Sequence, residues 1–199
     1  MRAIFVDRDG VINELREQYV KDWSEFSFID GALDGLRILS EHSYRLVIVT
    51  NQSAIGRGIV SRGIVDDINT RLRREALARS VAIEAILTCP HAPEDGCFCR
   101  KPQPGLLQTA SRQLGIDLAA SYSVGDSLTD LMAAESAGCA AFFLTLTGNG
   151  RAVADEAREL ARRDLIVIPD LLRAAEAILQ RDGLLNEHPG DNTTSSQRG

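Results

Sequence analysis

Short apolar runs alternate with helical periods along almost the whole chain, and this pattern limits the fold more than any other feature. Candidate strands are Ala3–Val6, Arg45–Val49, Ile83–Leu87, Tyr122–Val124, Ala140–Leu144 and Leu165–Ile168. Between them lie candidate helices at Ala32–Glu41, Ile64–Arg79, Gly105–Leu114, Leu128–Ala137 and Leu171–Gln180, with a more highly charged candidate at Val153–Arg163. Strands that alternate with helices make βαβ units, hence a parallel sheet covered on both faces. The expectation is one α/β domain over residues 1–181. The polar stretch 182–199 reads as a disordered tail, and its Asn192-Thr193-Thr194 as a chance match to a glycosylation acceptor.

Composition excludes several classes of function. The chain has 199 residues, 44% hydrophobic and 25% charged, which is ordinary for a globular protein. A net charge of −6 and the lack of a basic stripe count against nucleic acid or an anionic membrane as partner. No apolar run is long enough to span a bilayer, and no signal peptide is visible, so a cytoplasmic location is expected. Nothing demands a dimer, and a monomer is the expectation.

Four segments carry chemistry. In the first, the run Ala3–Val6 leads into Asp7-Arg8-Asp9-Gly10. A turn at Gly10 would gather two carboxylates at the carboxyl end of a strand, where open parallel sheets bind ligands. Asp-x-Asp-Gly alone is also a common turn, but two anions held so close need a cation or a proton between them. The second segment is Thr50-Asn51-Gln52-Ser53, again after an apolar strand, where a hydroxyl and free amides can hold a phosphate oxygen. The third is Gly125-Asp126-Ser127-Leu128-Thr129-Asp130. If one helix includes both aspartates, their four-residue spacing puts them on one face.

The fourth is Cys89-Pro90-His91, followed after five residues by Cys97-Phe98-Cys99. Three thiols and an imidazole make a complete tetrahedral zinc set, and closed four-ligand sites are usually structural. Arg100-Lys101-Pro102 follows at once, a basic pair held between the loop and a proline and suited to an anion. The lone Cys139 sits in an apolar run and reads as core. Asn13–Ile29, with Tyr19, Trp23, Phe26 and Phe28, is a long segment without a clear period.

Together these segments resemble the phosphatases of the haloacid dehalogenase (HAD) superfamily, over about Ala3 to Asp170. The Cys89–Pro102 loop is similar to the zinc-containing branch of that superfamily, which acts on heptose bisphosphates and histidinol phosphate. The segments around Asp7, Gln52-Ser53 and Lys101 are more similar to the heptose enzymes, whereas the short spacer between His91 and Cys97 is also found on the histidinol-phosphate side. Ser127 stands where some heptose phosphatases have Lys.

The resemblance implies a Rossmann-like parallel sheet with no large cap domain, and a phosphatase that takes the C7 phosphate from a small phosphorylated sugar. Histidinol phosphate or another small phosphomonoester is the alternative. It implies Asp7 as nucleophile, Asp9 as acid and base, and Thr50, Asn51, Gln52, Ser53, Arg100 and Lys101 as substrate-binding residues. Mg²⁺ would sit at Asp7, Asp9 (through its backbone carbonyl) and Asp126, with Asp130 supporting, and Zn²⁺ at Cys89, His91, Cys97 and Cys99. Asn13–Ile29 and the zinc loop would close over the substrate.

Overall fold

A computed structural model of the chain describes residues 1–185. Six strands, β1 (Ala3–Val6), β2 (Arg45–Asn51), β3 (Ile83–Cys89), β4 (Tyr122–Gly125), β5 (Ala141–Thr145) and β6 (Asp164–Ile168), form one sheet in the order β3-β2-β1-β4-β5-β6. Every pairing is parallel. The helices are α1 (Ala32–Glu41), the one-turn α2 (Ser53–Gly56), α3 (Arg62–Ala78), α4 (Gly105–Leu114), α5 (Leu128–Ala137), α6 (Gly150–Leu160) and α7 (Leu171–Arg181).

Strand β1 lies at the centre, and all four of its residues are buried. Its side chains alternate. Ile4 and Val6 pack with Leu36, Leu39, Ile68, Leu72 and Ile178 from α1, α3 and α7. Ala3 and Phe5 pack on the other face with Leu107, Leu131 and Ala157 from α4, α5 and α6. A strand with two buried faces reads as an unbroken apolar run, as Ala3–Val6 does. Burial of a side chain the size of Phe5 or Ile4 contributes about 1.5–3 kcal/mol.

Four strands run further at their carboxyl ends than the apolar pattern predicts: β2 takes in Thr50 and Asn51, β3 reaches Cys89, and β4 and β5 each gain one residue, Gly125 and Thr145. Polar residues therefore stand on the last strand positions, where they still pair but face the end of the sheet. Helix α6 starts three residues before the expected Val153 and ends at Leu160 rather than Arg163. Gly150 enters it because its backbone packs against Thr145, where no side chain would fit. Helix α2 was not expected from the sequence, since four residues are too few to show a period.

The segment 13–29 is tied to the fold at both ends. Asn13 bridges to Phe28, Glu14 N–H donates to the carbonyl of Ser27, and Ile29 N–H donates to that of Ile12. Trp23 stacks on Phe26 at 4.7 Å between ring centres, and Phe28 meets both rings edge-on. At the opposite end of the sheet, the carboxylate of Asp182 accepts from Tyr122 at 2.6 Å, from Tyr44 at 2.5 Å and from Arg2. The ordered fold thus continues past Arg181. The rest of the expected tail from Asn186, including Asn192, lies outside the described residues. No helix among the described residues is long and apolar enough to cross a membrane.

Candidate active site

The strand order reverses direction between β1 and β4, and a crevice opens at the carboxyl ends of the strands there. A cavity of about 250 Å³ occupies it, lined by Asp7, Asp9, Thr50, Asn51, Arg100, Lys101, Asp126 and Asp130 together with Leu15, Ser127, Thr129 and Asn149. The ends of β1, β2 and β4, the start of α5 and the loops that follow β1, β3 and β5 contribute to this lining.

Lys101 is the hub. It is 4% exposed, and its ammonium donates to Asp7 Oδ1 at 2.7 Å and to the Val49 carbonyl at 2.9 Å, and contacts Asp130 Oδ1 at 2.5 Å. Its backbone is fixed by Asn51, whose side chain accepts from Lys101 N–H and donates to its carbonyl, both at 3.1 Å. The two carboxylates hold Lys101 in its charged form well above the usual lysine range, against the effect of burial.

Asp7, Asp126 and Asp130 are all buried, and carboxylate oxygens from the three lie within 4.8 Å of one another. Three carboxylates face one ammonium, so two negative charges are in excess when all three are ionised. Burial, with repulsion from Asp130 and Asp126, pushes Asp7 up to about 8 despite Lys101. Burial, with repulsion from Asp130, pushes Asp126 up to about 6. An all-oxygen set with excess negative charge fits a hard divalent cation such as Mg²⁺. Asp126 Oδ2 accepts from Asn149 N–H at 2.7 Å. Two glycines with positive φ, Gly10 and Gly148, let the backbone close around it: a Cβ on either would stand 2.3 or 2.0 Å from that oxygen.

Asp126 and Asp130 do not share a helical face. Ser127 is the N-cap of α5, with extended backbone, so Asp126 precedes the helix and only Asp130 belongs to it. The carboxylates converge because the strand end and the first helical turn face each other across Ser127. The Ser127 hydroxyl is occupied with Asp130 Oδ2 at 2.5 Å.

Asp9 is set apart from the cluster. Its carboxylate accepts from Arg8 Nη2 at 2.9 and 3.1 Å, from Asn13 Nδ2 at 2.8 Å and from Gln52 Nε2 at 2.6 Å. Gln52 also donates to Thr50 Oγ1 at 2.9 Å, which leaves the threonine O–H free to donate into the cavity. Gln52 and Ser53, expected to bind substrate, are buried and do not line the cavity; Ser53 lies 3.4 Å from the Tyr19 hydroxyl. Arg8, Asn13 and Asn149 are site residues that the motif reading did not single out. Arg8 had a visible signal, a cation between two aspartates, and Asn149 is the N-cap of α6, a helix whose expected start lay three residues later.

Cys89, His91, Cys97 and Cys99 come together beside the cavity, with one ligand atom from each within 4.8 Å of the others. The sulfurs stand 3.2, 3.5 and 3.6 Å apart, and His91 Nδ1 lies 3.3 and 3.6 Å from two of them. A tetrahedral ion with bonds of ~2.3 Å to sulfur sets its thiolates ~3.7 Å apart, so the cluster fits a zinc-binding site. Cys89 is the last residue of β3 and Arg100 Nη1 donates to the His91 carbonyl at 3.4 Å, so the loop links the sheet to the basic pair.

Residues 98–174 match the HAD-hydrolase-like family model. The D-glycero-beta-D-manno-heptose-1,7-bisphosphate 7-phosphatase of Bordetella bronchiseptica is 39% identical over 184 residues, covering 90% of this chain and 99% of the relative. The Escherichia coli K12 protein of the same name is 39% identical, covering 86% and 92%. Among solved structures, the D,D-heptose 1,7-bisphosphate phosphatase of B. bronchiseptica, complexed with magnesium and phosphate, superposes with a TM-score of 0.85 at 38% identity, covering 91% of this chain and 99% of that one. The Burkholderia thailandensis enzyme of that name gives 0.69 at 29% identity, covering 90% and 99%. The chain therefore belongs to the HAD-like hydrolases, in the family of the D-glycero-beta-D-manno-heptose-1,7-bisphosphate 7-phosphatases.

Proposed function

We propose that the chain is a phosphatase that removes the C7 phosphate of D-glycero-β-D-manno-heptose 1,7-bisphosphate through an aspartyl-phosphate on Asp7. The observation that carries this reading is the buried Asp7–Lys101–Asp130 arrangement at the mouth of β1 and β4, in a chain similar over nearly its full length to enzymes of that name. The preference for the β anomer follows the names of those relatives. The short spacer between His91 and Cys97 is the feature shared with the histidinol-phosphate side, and the relatives that cover nearly the whole chain carry the heptose name.

Asp7 attacks phosphorus, and the bond to the sugar oxygen breaks. Asp9 gives that oxygen a proton, then takes one from the water that hydrolyses the aspartyl-phosphate. Lys101 holds Asp7 in place and sets a positive charge where the non-bridging oxygens arrive. The Thr50 hydroxyl and the backbone N–H of Asn51 donate to those oxygens. Arg100, half-buried at the rim, grips the far part of the substrate.

Asp7, the backbone carbonyl of Asp9 and Asp126 would hold Mg²⁺. The Asp9 side chain is committed to three donors and both oxygens of Asp130 to Lys101 and Ser127, whereas Asp7 meets Lys101 through Oδ1 alone, which leaves these oxygens as the natural set. When bound, Mg²⁺ supplies charge neutralisation for the carboxylates and the phosphoryl group. Cys89, His91, Cys97 and Cys99 would hold Zn²⁺, which fixes the loop that presents Arg100 and Lys101. Segment 13–29, whose Leu15 lines the cavity, serves in place of a large cap.

The test is Mg²⁺-dependent phosphate release from the two anomers of heptose 1,7-bisphosphate, with histidinol phosphate alongside. Strong preference for the β anomer is expected. Preference for histidinol phosphate would overturn the substrate, and no release from any of them would overturn the enzyme.

A further inference from the structure

Arg8 stands between the two aspartates and has no part in the steps above. Its side chain is wholly buried. A buried charge without a partner is strongly unfavourable. Asp9 is the counter-charge, met through Nη2 at 2.9 and 3.1 Å. On its other side Arg8 Nη1 donates to Asn69 Oδ1 of α3 at 3.0 Å, and Asn69 Nδ2 donates to Thr88 Oγ1 of β3 at 3.3 Å.

The pairing is incomplete in a telling way. Arg8 Nε and Asn13 Oδ1 are buried without a hydrogen-bond partner, although both side chains serve Asp9. An arginine kept for stability alone would be a poor choice here, because an apolar side chain would fill the space without a charge to compensate. A polar group left unsatisfied in a core calls for an explanation, and a catalytic role is one.

We propose that Arg8 is a positioning residue: it fixes the Asp9 carboxyl in the orientation that delivers a proton to the leaving sugar oxygen, and Asn69 anchors it from behind. This inference rests on the acid–base role given to Asp9 above. The relay runs from the edge strand through a helix to the reacting proton, so it specifies geometry that the two aspartates cannot fix by themselves.

Leaving-group dependence tests it. A sugar alkoxide needs a proton to depart, whereas p-nitrophenolate does not. The ratio kcat/KM reports cleavage of the ester bond and excludes hydrolysis of the aspartyl-phosphate. Arg8→Met is expected to lower kcat/KM on heptose bisphosphate about 10²-fold, and on p-nitrophenyl phosphate less than about 5-fold. Arg8→Lys should recover part of the loss. Asn69→Ala, which leaves Arg8 and Asp9 paired, should show the same split in weaker form even if Arg8→Met folds poorly.

In an Asp9→Asn background, Arg8→Met should cost less than about 3-fold more, because its target is already lost. Equal losses on the alkyl and aryl esters, or additive losses in the double variant, would overturn the role of Arg8. Wild-type protein inert towards heptose bisphosphate would instead sink the substrate assignment, and the comparison would then be made on an alkyl phosphomonoester that it does cleave.

Discussion

Among the described residues stand two clusters of four potential ligands or charges, and they are built in opposite ways. Cys89, His91, Cys97 and Cys99 come from one short loop, whereas Asp7, Lys101, Asp126 and Asp130 come from segments up to 123 residues apart that only the sheet brings together. The sulfur cluster is closed on itself. The oxygen cluster opens on a cavity and carries excess negative charge. A closed set of soft donors suits a structural ion, and an open, charged set suits chemistry. Lys101 joins the two, since it lies two residues after Cys99 and reaches Asp7.

If the oxygen cluster carries the reaction, its central residue has no substitute. Asp7→Asn keeps the shape but removes the nucleophile, and kcat should fall by at least ~10⁴-fold, the scale seen when a covalent nucleophile is lost. Rapid-quench trapping should find no phosphorylated protein. Turnover within about tenfold of wild type would mean that another group attacks.

A smaller loss is expected at the junction. Lys101→Met is nearly isosteric but leaves Asp7 and Asp130 buried with no cation. Breaking a buried pair in this way typically costs about 3–5 kcal/mol of stability, and the lost transition-state charge about 10²–10³-fold in kcat. Magnesium should recover much of the stability and little of the rate, because it offsets charge without standing in the place of the ammonium. Denaturant melts with and without MgCl₂, set beside kcat, would separate the two effects. Full rescue of both would mean that Lys101 only balances charge.

Breaking the sulfur cluster should cost less again. Cys97→Ser, or removal of zinc by a chelator with Mg²⁺ then restored, is expected to lower kcat/KM about tenfold by loosening the loop that orients Arg100 and Lys101. Most of the change should fall in KM. Unchanged kinetics after metal analysis shows the zinc gone would sever the two clusters functionally.

The contrast also explains what could be learned from the sequence. The sulfur loop was legible because its spacing is local, and β1 because both of its faces are buried. Asp126 and Asp130 were legible as residues but not as geometry: their spacing suits a helix, yet the Ser127 cap puts one outside it. Gln52 looked like a phosphate ligand in its strand-end motif, and only the fold shows its amide turned to Asp9 and Thr50. Asn149 meets the site from the N-cap of α6, whose start the apolar period placed three residues too late, and Asn69 from within α3, where a single buried amide has no spacing to mark it.

The smallest expected effect concerns pH and separates the clusters by charge. Folding raises Asp126 from 3.8 to about 6 and Asp7 from 3.8 to about 8, chiefly through burial and then through neighbouring carboxylates. A carboxyl with a raised pKa binds more protons folded than unfolded. Its contribution to stability is therefore full below the unfolded value and is lost as pH rises through the folded one. In metal-free conditions the oxygen cluster should weaken the fold progressively from about pH 4 to about pH 8. Magnesium binds the ionised form and removes that penalty, so its stabilisation should grow over the same window. We expect saturating MgCl₂ to raise Tm by several degrees at about pH 8 and by little at about pH 5, where protons already neutralise the carboxylates. Asp126→Asn should shrink the difference between the two, and Cys97→Ser should leave it unchanged. A magnesium-induced shift of equal size at both pH values would mean that these carboxylates are ionised throughout, and that Lys101 alone balances the site.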